Sequence, residues 1–309
     1  MTLFRRLSIP LALVSIGCSL TERPRVDPAR MEQLWDSPTD LEQRDLFRGV
    51  GGSKNAPDPN DLYKFKDEKA VGTQPGYDVE DSKGREWSVK LGPEARPEVA
   101  VSRLLWAIGY HQPSVYYLPQ WTLVRDGKRI TQTGARFRLD DTKNLGEWSW
   151  RKNPYLHTRQ LAGLFVFQVM VNNWDVKSQQ NALYQMKDKD GPGPRERYMV
   201  KDLGASLGRT AWPVGGTKAD PEGFEEEPFI ERVEANRVRF AYQGAWLEPW
   251  LTRSISPGDV RWTAELLGRL TPKQWSDAFR GAGFSDAEAN RYIRRLRQKI
   301  TEGLNLGSF

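Results

Sequence analysis

Asn172-Asn173-Trp174-Asp175-Val176-Lys177, with Asn181 a few residues on and Lys201-Asp202-Leu203-Gly204 beyond it, is the stretch on which the fold of this chain turns. It follows a segment from His157 to Val171 that is apolar on nearly all sides through Leu161, Leu164, Phe165, Val166, Phe167, Val169 and Met170. Such a segment predicts a helix buried in the middle of a lobe, because no face is left for water. Short strand-like pieces follow at Ala182 to Gln185 and Tyr198 to Lys201, separated by a turn rich in Lys, Asp, Gly and Pro. Asp175 therefore ends a buried helix, and Asp202 follows a short strand.

Towards the N-terminus the pattern changes to strands. Tyr77 and Val79 alternate with polar neighbours, Ser82-Lys83-Gly84 makes a turn, and Trp87, Val89 and Leu91 alternate with Glu86, Ser88 and Lys90. A period of two puts Lys90 on the face opposite the apolar side chains. Beyond Pro97, Val101, Leu104, Leu105 and Ile108 recur at helical spacing, which predicts an amphipathic helix from near Glu98 to about Gly109. Thr122 to Thr131 reads as a hairpin, since Asp126-Gly127 tolerates the positive φ of a tight turn. Towards the C-terminus, residues 209 to 228 read as loop, with the acidic run Glu225-Glu226-Glu227, and Arg237 to Tyr242 as a short strand. Thr271-Pro272-Lys273-Gln274 and Ser285-Asp286-Ala287-Glu288 are capping boxes that open terminal helices.

In order and setting, Lys90, Asp175, Asn181 and Asp202 resemble the site of the protein-kinase superfamily. Ser88-Val89-Lys90 looks like its Val-Ala-Ile-Lys strand, Asp175-Val176-Lys177 like its catalytic-loop Asp-Leu-Lys, and Asp202-Leu203-Gly204 like its Asp-Phe-Gly motif. The resemblance covers about residues 63 to 210. It is nearest to atypical members, such as the CotH-like spore-coat kinases, the HipA toxins and the secretory-pathway kinases. It implies an α+β, two-lobed fold with a small β-rich N-lobe carrying one helix and a mainly helical C-lobe. It also implies roles: Lys90 on nucleotide phosphates, Glu98 fixing Lys90, Asp175 orienting the acceptor as base, Lys177 on the transferring phosphate, and Asn181 and Asp202 on Mg²⁺. The cofactors implied are Mg²⁺ and ATP or another nucleoside triphosphate, and the acceptor is an unspecified protein or small molecule. Three departures stand beside the likeness. Asp175 to Asn181 is one residue longer than the usual interval, Trp174 replaces an arginine, and only Gly72 and Gly76 precede the second strand where a Gly-rich loop is expected. Glu94 competes with Glu98 as the partner of Lys90.

The domain reading places a signal peptide at 1–17, a polar tether or irregular wrapping arm at 18–60, the N-lobe at 61–140 and the C-lobe at 141–309. Arg5 and Arg6 precede a short apolar run ending at Cys18, the layout of an export signal. Cys18 is the only cysteine, placed where a lipoprotein signal carries the residue to be acylated, and an intramolecular disulfide is impossible. The expectation is an exported, lipid-anchored protein of the cell envelope. An exported chain meets little ATP, so a non-catalytic lipoprotein that uses a pseudokinase scaffold for binding is the alternative.

Other chemistries find less support. The formal charge is +6, falling to +4 without Arg5 and Arg6, which is too mild to predict nucleic-acid binding. Arg291, Arg294, Arg295, Arg297 and Lys299 read as the solvated face of a helix whose other side carries Tyr292, Ile293, Leu296 and Ile300. Gly204-Ala205-Ser206-Leu207-Gly208 matches a nucleophile elbow, but Trp212-Pro213 interrupts any helix after it, and His111 and His157 both precede Ser206. Those two histidines are too far apart to predict zinc. Gly49 to Lys54 lacks the ending of a phosphate loop and reads as a turn. The tryptophans, including Trp148, Trp150, Trp246, Trp250, Trp262 and Trp275, read as core rather than as a carbohydrate platform.

Overall fold

Leu34, Leu41 and Leu46 are spaced too irregularly to mark an element, yet each is fully buried. They belong to a segment that the computed structural model, which describes residues 23–68, 74–186, 196–211, 215–244 and 248–306, wraps around the body of the protein. The segment contains α1 (Pro28–Met31), capped by the Asp27 carboxylate. It is pinned by Trp35, which bridges to Tyr110, donates Nε1–H to the Ile108 carbonyl at 2.8 Å and packs on the Trp262 ring at 5.4 Å. Gln274 completes the seam, its Nε2 donating to the Leu41 carbonyl at 2.6 Å. Thus 23–60 is a wrapping arm. The proposed signal segment and Cys18 lie outside the described residues.

Five strands close into a barrel in the order β1-β2-β3-β5-β4. They are β1 (Leu62–Glu68), β2 (Gly76–Glu80), β3 (Glu86–Leu91), β4 (Val115–Arg125) and β5 (Lys128–Leu139). Alternation fills the interior with Tyr63, Val79, Trp87, Val89, Trp121, Leu123 and Phe137, a core of its own. Aromatic rings there meet edge to face, Trp121 on Phe137 at 5.2 Å, the arrangement their quadrupoles favour. The β4–β5 hairpin turns at Asp126 (φ 52°) and Gly127 (φ 72°), both left-handed. It is longer than the sequence pattern suggests, because pairing continues past Pro119 and Gly134 to Val115↔Arg138.

Between β3 and β4 lies α2 (Ala95–Ala107), which starts three residues before the expected Glu98. Pro97 is compatible with this, since a first-turn residue needs no N–H donor. The earlier start puts Glu98 inside the helix, where it is buried.

The second lobe is built on α3 (Arg159–Met170), whose N-terminus is capped by Thr158 Oγ1 accepting from Leu161 N–H at 3.2 Å. A three-stranded sheet, β6 (Thr142–Gly146), β7 (Asn181–Met186) and β8 (Glu196–Val200), lies beside it. The loop expected over 209–228 contains a short helix, α4 (Pro221–Glu226), started by Asp220 as cap and Pro221 as the first helical residue. β9 (Ile230–Glu234) and β10 (Arg237–Phe240) form a hairpin, and α5 (Pro249–Ser254), α6 (Pro257–Gly268), α7 (Pro272–Arg280) and α8 (Asp286–Leu304) complete the lobe. Both expected capping boxes form, at Thr271/Gln274 and Ser285/Glu288. Among the described residues no helix is long and apolar enough to cross a membrane.

Because the arm shares the core of the second lobe, Leu41→Ala should lower unfolding free energy by about 2–5 kcal/mol. Urea denaturation of wild type and variant measures this. A loss under about 0.5 kcal/mol would mean that the arm is only loosely attached.

Candidate active site

Lys90 stands on β3 with its side chain outside the barrel, where the second lobe meets it. Its Nζ lies 2.7 Å from Glu98 Oε2, 3.0 Å from Glu94 Oε2 and 3.0 Å from both oxygens of Asp202. Both rival glutamates therefore hold the lysine. Glu98 is the deeper one and is shared with Arg136, whose Nε lies 2.9 Å from its other oxygen. Glu94 gives its second oxygen to Lys218. Three cations and three carboxylates thus neutralise one another, the condition under which buried charge is tolerated.

The electrostatics follow. Burial pulls the Lys90 ammonium down, but Glu98, Asp202 and Glu94 more than offset it and its pKa is raised. Burial pushes the Asp202 carboxyl up, yet Lys90, the Gly204 N–H and Arg136 outweigh that, and it stays ionised below the usual carboxylate range.

Asp175 comes from the loop after α3. Its N–H donates to Asn173 Oδ1 at 3.2 Å, Lys177 Nζ lies 2.8 Å from Oδ1, and Gln180 Nε2 donates to Oδ2. The loop is tied to the segment after Asp202 by Trp174 N–H donating to the Ala205 carbonyl at 3.1 Å and Leu207 N–H to that of Val171 at 2.9 Å. Asn181 opens β7, fully buried; its Nδ2 donates to the Trp148 carbonyl at 3.2 Å while Oδ1 has no protein partner. Pairing of Asn181 with Val200 brings it to the strand that delivers Asp202. A strand lysine held by a buried helix glutamate and meeting an aspartate from the other lobe, beside a loop carboxylate, decides the architecture.

The arrangement is similar to the one that the resemblance to protein kinases implies.

Comparison with solved structures finds similar chains among kinases. The proinflammatory kinase CtkA of Helicobacter pylori matches with a TM-score of 0.45 at 9% identity, over 81% of this chain and 100% of that one. The Golgi casein kinase matches with a TM-score of 0.38 at 10% identity, over 90% of this chain and 85% of that one. The Rio2 kinase of Chaetomium thermophilum, solved as an ADP/Mg²⁺-phosphoaspartate complex, matches with a TM-score of 0.32 at 10% identity, over 77% and 72% of the two chains. No protein-family model and no curated sequence matches the chain. These likenesses concern backbone architecture alone; the residue-level description rests on the contacts above.

The cleft has a volume of about 380 Å³ and is lined by Lys90, Glu94, Asp175, Lys177, Gln180 and Asp202, among others. Gln180 was not singled out by the sequence pattern, although it stands one residue nearer to Asp175 than Asn181 does and so at the usual interval. That interval was the signal. Among the described residues no cluster of three or more His, Cys, Asp or Glu side chains could hold a metal ion. Mg²⁺ beside phosphates needs fewer protein ligands: the ionised Asp202 lines the cleft, whereas Asn181, whose Oδ1 has no protein partner, is fully buried and is not among the residues that line it.

The other candidates take structural places. Ser206 is fully buried, followed by Leu207 at φ 59° rather than by a helix. His111 bonds the Glu32 carbonyl at 2.7 Å, and burial lowers its pKa to about 3, so it is neutral. Trp148, Trp150 and Trp275 are buried, and Trp250 and Trp262 pack against the same core. Gly72 and Trp246 lie outside the described residues.

One expectation fails instructively. Arg295 and Lys299 do not belong to a solvated face of α8; both are buried. Lys299 Nζ donates to the Met170 carbonyl at 3.0 Å and to Asn172 Oδ1 at 2.6 Å, with the Phe224 ring 4.5 Å away. Asn172, held at φ 52°, passes the contact on through Nδ2 to the Gly208 carbonyl at 2.8 Å. The lysine thus braces, from behind, the two segments that carry Asp175 and Asp202. Helical periodicity placed it among arginines, and only the carbonyl end of α3, invisible in sequence, explains its burial.

Burial lowers the Lys299 pKa well below that of a free lysine. Between that lowered value and about 10.4 the unfolded chain carries a proton that the fold rejects, so stability gained at Lys299 rises with pH. The difference in unfolding free energy, wild type minus Lys299→Met, should therefore increase from about pH 7 to about pH 9.5 in parallel denaturant titrations. A flat difference would show that Lys299 keeps its proton in the fold.

Proposed function

We propose that this chain is a phosphotransferase that uses a Mg²⁺-bound nucleoside triphosphate. The observation that carries the reading is the meeting of Lys90, Glu98 and Asp202 across the two lobes, with Asp175 lining the same cleft. When bound, the nucleotide and metal supply the transferable phosphoryl group and the neutralisation of its charge. Glu98 keeps Lys90 extended towards the place the phosphates would take, while Asp202 and the Asn181 carbonyl oxygen would hold the metal. Asp175 orients the acceptor hydroxyl and takes its proton as the phosphoryl group moves onto that oxygen. Lys90 then faces the charge left on the departing diphosphate, and Lys177, 2.8 Å from Asp175, reaches the group in transfer.

Nucleotide at about 100 times its dissociation constant should add roughly 2.7 kcal/mol of stability, seen as a Mg²⁺-dependent melting shift. Asp202→Ala should abolish the shift. Asp175→Ala should keep it and lose transfer, because an acceptor-orienting base acts in the transition state. Both Asp175 oxygens are engaged, by Lys177 and Gln180, which favours a second reading as a nucleotide-binding scaffold. A shift without phosphoryl transfer by the wild type selects that reading, and no shift with any common nucleotide removes both.

The same proposal places the chain in the cell envelope, anchored by a lipid on Cys18; what supports this is the Arg5-Arg6 and apolar-run pattern of the sequence. Mass spectrometry of the membrane fraction should find an N-terminus at acylated Cys18. An intact Met1 there would rule out cleavage, and a free Cys18 thiol would rule out the anchor.

A further inference from the structure

Next to the Lys90 cleft lies a second cavity of about 410 Å³, and the two share Arg138, Asn144 and Tyr184 as walls. They form one trough, with the phosphate-directed lysine at one end. A nucleotide with its phosphates on Lys90 would lay its base at the other end.

That end is polar. The barrel face above it is a ladder of rows across β2, β3 and β5, set by the strand register: Gly76, Lys90 and Arg136, then Asp78, Ser88 and Arg138. Strands lie roughly 4.8 Å apart, so Asp78 and Arg138 stand about 10 Å apart at the backbone, with only the small Ser88 between them. No hydrogen bond or ion pair of the Asp78 or Arg138 side chain is found among the described residues, whereas Lys66, which also lines the cavity, is paired with Glu80 at 3.0 Å. Tyr184 lines the trough from the second lobe.

The backbone between the lobes is meanwhile engaged. Leu139 N–H donates to the Ser114 carbonyl at 3.0 Å and Asp140 N–H to that of Glu86 at 3.0 Å. Those two donors are not available to a base, which shifts recognition there towards side chains. A carboxylate accepts two donors from one edge, and a guanidinium donates two hydrogens to paired acceptors. Guanine presents N1–H and N2–H₂ beside O6 and N7, the last two being the acceptors that arginine reads in a bidentate manner. Adenine offers a single exocyclic amine and leaves the rest of the carboxylate without donors.

We infer that this trough selects a guanine nucleotide, with Asp78 on the N1–H/N2–H₂ edge and Arg138 on O6 and N7. The inference rests on the phosphotransferase reading of the same cleft and adds the identity of the base. Titration calorimetry of the full chain in Mg²⁺ with non-hydrolysable GTP and ATP analogues tests it. The GTP analogue should bind at least about 10-fold more tightly, since a site built to pair with polar groups penalises a base that leaves them unpaired. Asp78→Asn should bring the two within about threefold of each other. The same variant should gain affinity for a xanthosine triphosphate analogue, because the amide now donates where xanthine bears a 2-keto oxygen. A folding defect cannot produce that gain. Equal or tighter binding of the ATP analogue by wild type would overturn the guanine assignment and leave the phosphotransferase reading standing. If neither analogue binds with Mg²⁺, the guanine assignment falls, and the phosphotransferase reading falls with it when no other common nucleotide gives the melting shift.

Discussion

The structure depends on how one ammonium group is kept charged in a partly closed cleft. Lys90 projects from a barrel whose interior is fully apolar, and the fold must surround it with carboxylates or leave a desolvated charge. It does so from three directions: Glu94 just before α2, Glu98 on α2, and Asp202 on the segment after β8. Arg136, from the neighbouring strand, balances Glu98, and Lys218 balances Glu94. The network therefore fixes α2 on the barrel and the barrel on the second lobe. In such a network the loss of any one member leaves another unpaired, which costs more than the pair contributes.

Period-two alternation and the all-round apolar composition of 157–171 were enough to read strands, the buried helix and the order of the site residues from the sequence. Those signals are local: Lys90 lies on β3 as read, while Asp175 and Asp202 lie in the segments that follow α3 and β8. The start of α2 was misread because Pro97 looks like a boundary, although a first-turn proline costs a helix nothing. That offset of one turn made Glu98 look terminal, when it lies within the helix and is buried. Lys299 was misread for a different reason. A charged residue on an amphipathic helix is ordinarily solvated, and its burial depends on carbonyl groups at the far end of another helix, 129 residues away in the chain. Sequence periodicity carries no information about partners of that kind.

The two loops of the site are held by contrasting means. The segment from Asp202 is anchored in front, by Lys90 and by its own Gly204 N–H at 3.1 Å. The segment from Asn172 to Asp175 is anchored behind, through Lys299, and laterally by Tyr242, whose hydroxyl donates to the Asn173 carbonyl. Only the front contacts lie in the cleft, so a ligand can replace them without disturbing the brace behind.

That division bears on how the cleft can exchange partners. Lys90 and Asp202 satisfy each other at 3.0 Å. Entry of a polyphosphate with its cation would give the ammonium an anion and the carboxylate a cation at the same moment. Each group trades one counter-charge for another, and neither passes through an unpaired state that a low-dielectric site would penalise heavily. Glu98, buried and shared with Arg136, need not move during that exchange, so the lysine keeps its direction while changing its partner. An anion without a cation would draw Lys90 from Asp202, whose direct cation among the described residues it is, and a cation alone would leave Lys90 with Glu94 and Glu98. On the phosphotransferase reading, this internal salt bridge would couple nucleotide to metal and make simultaneous entry the favourable route.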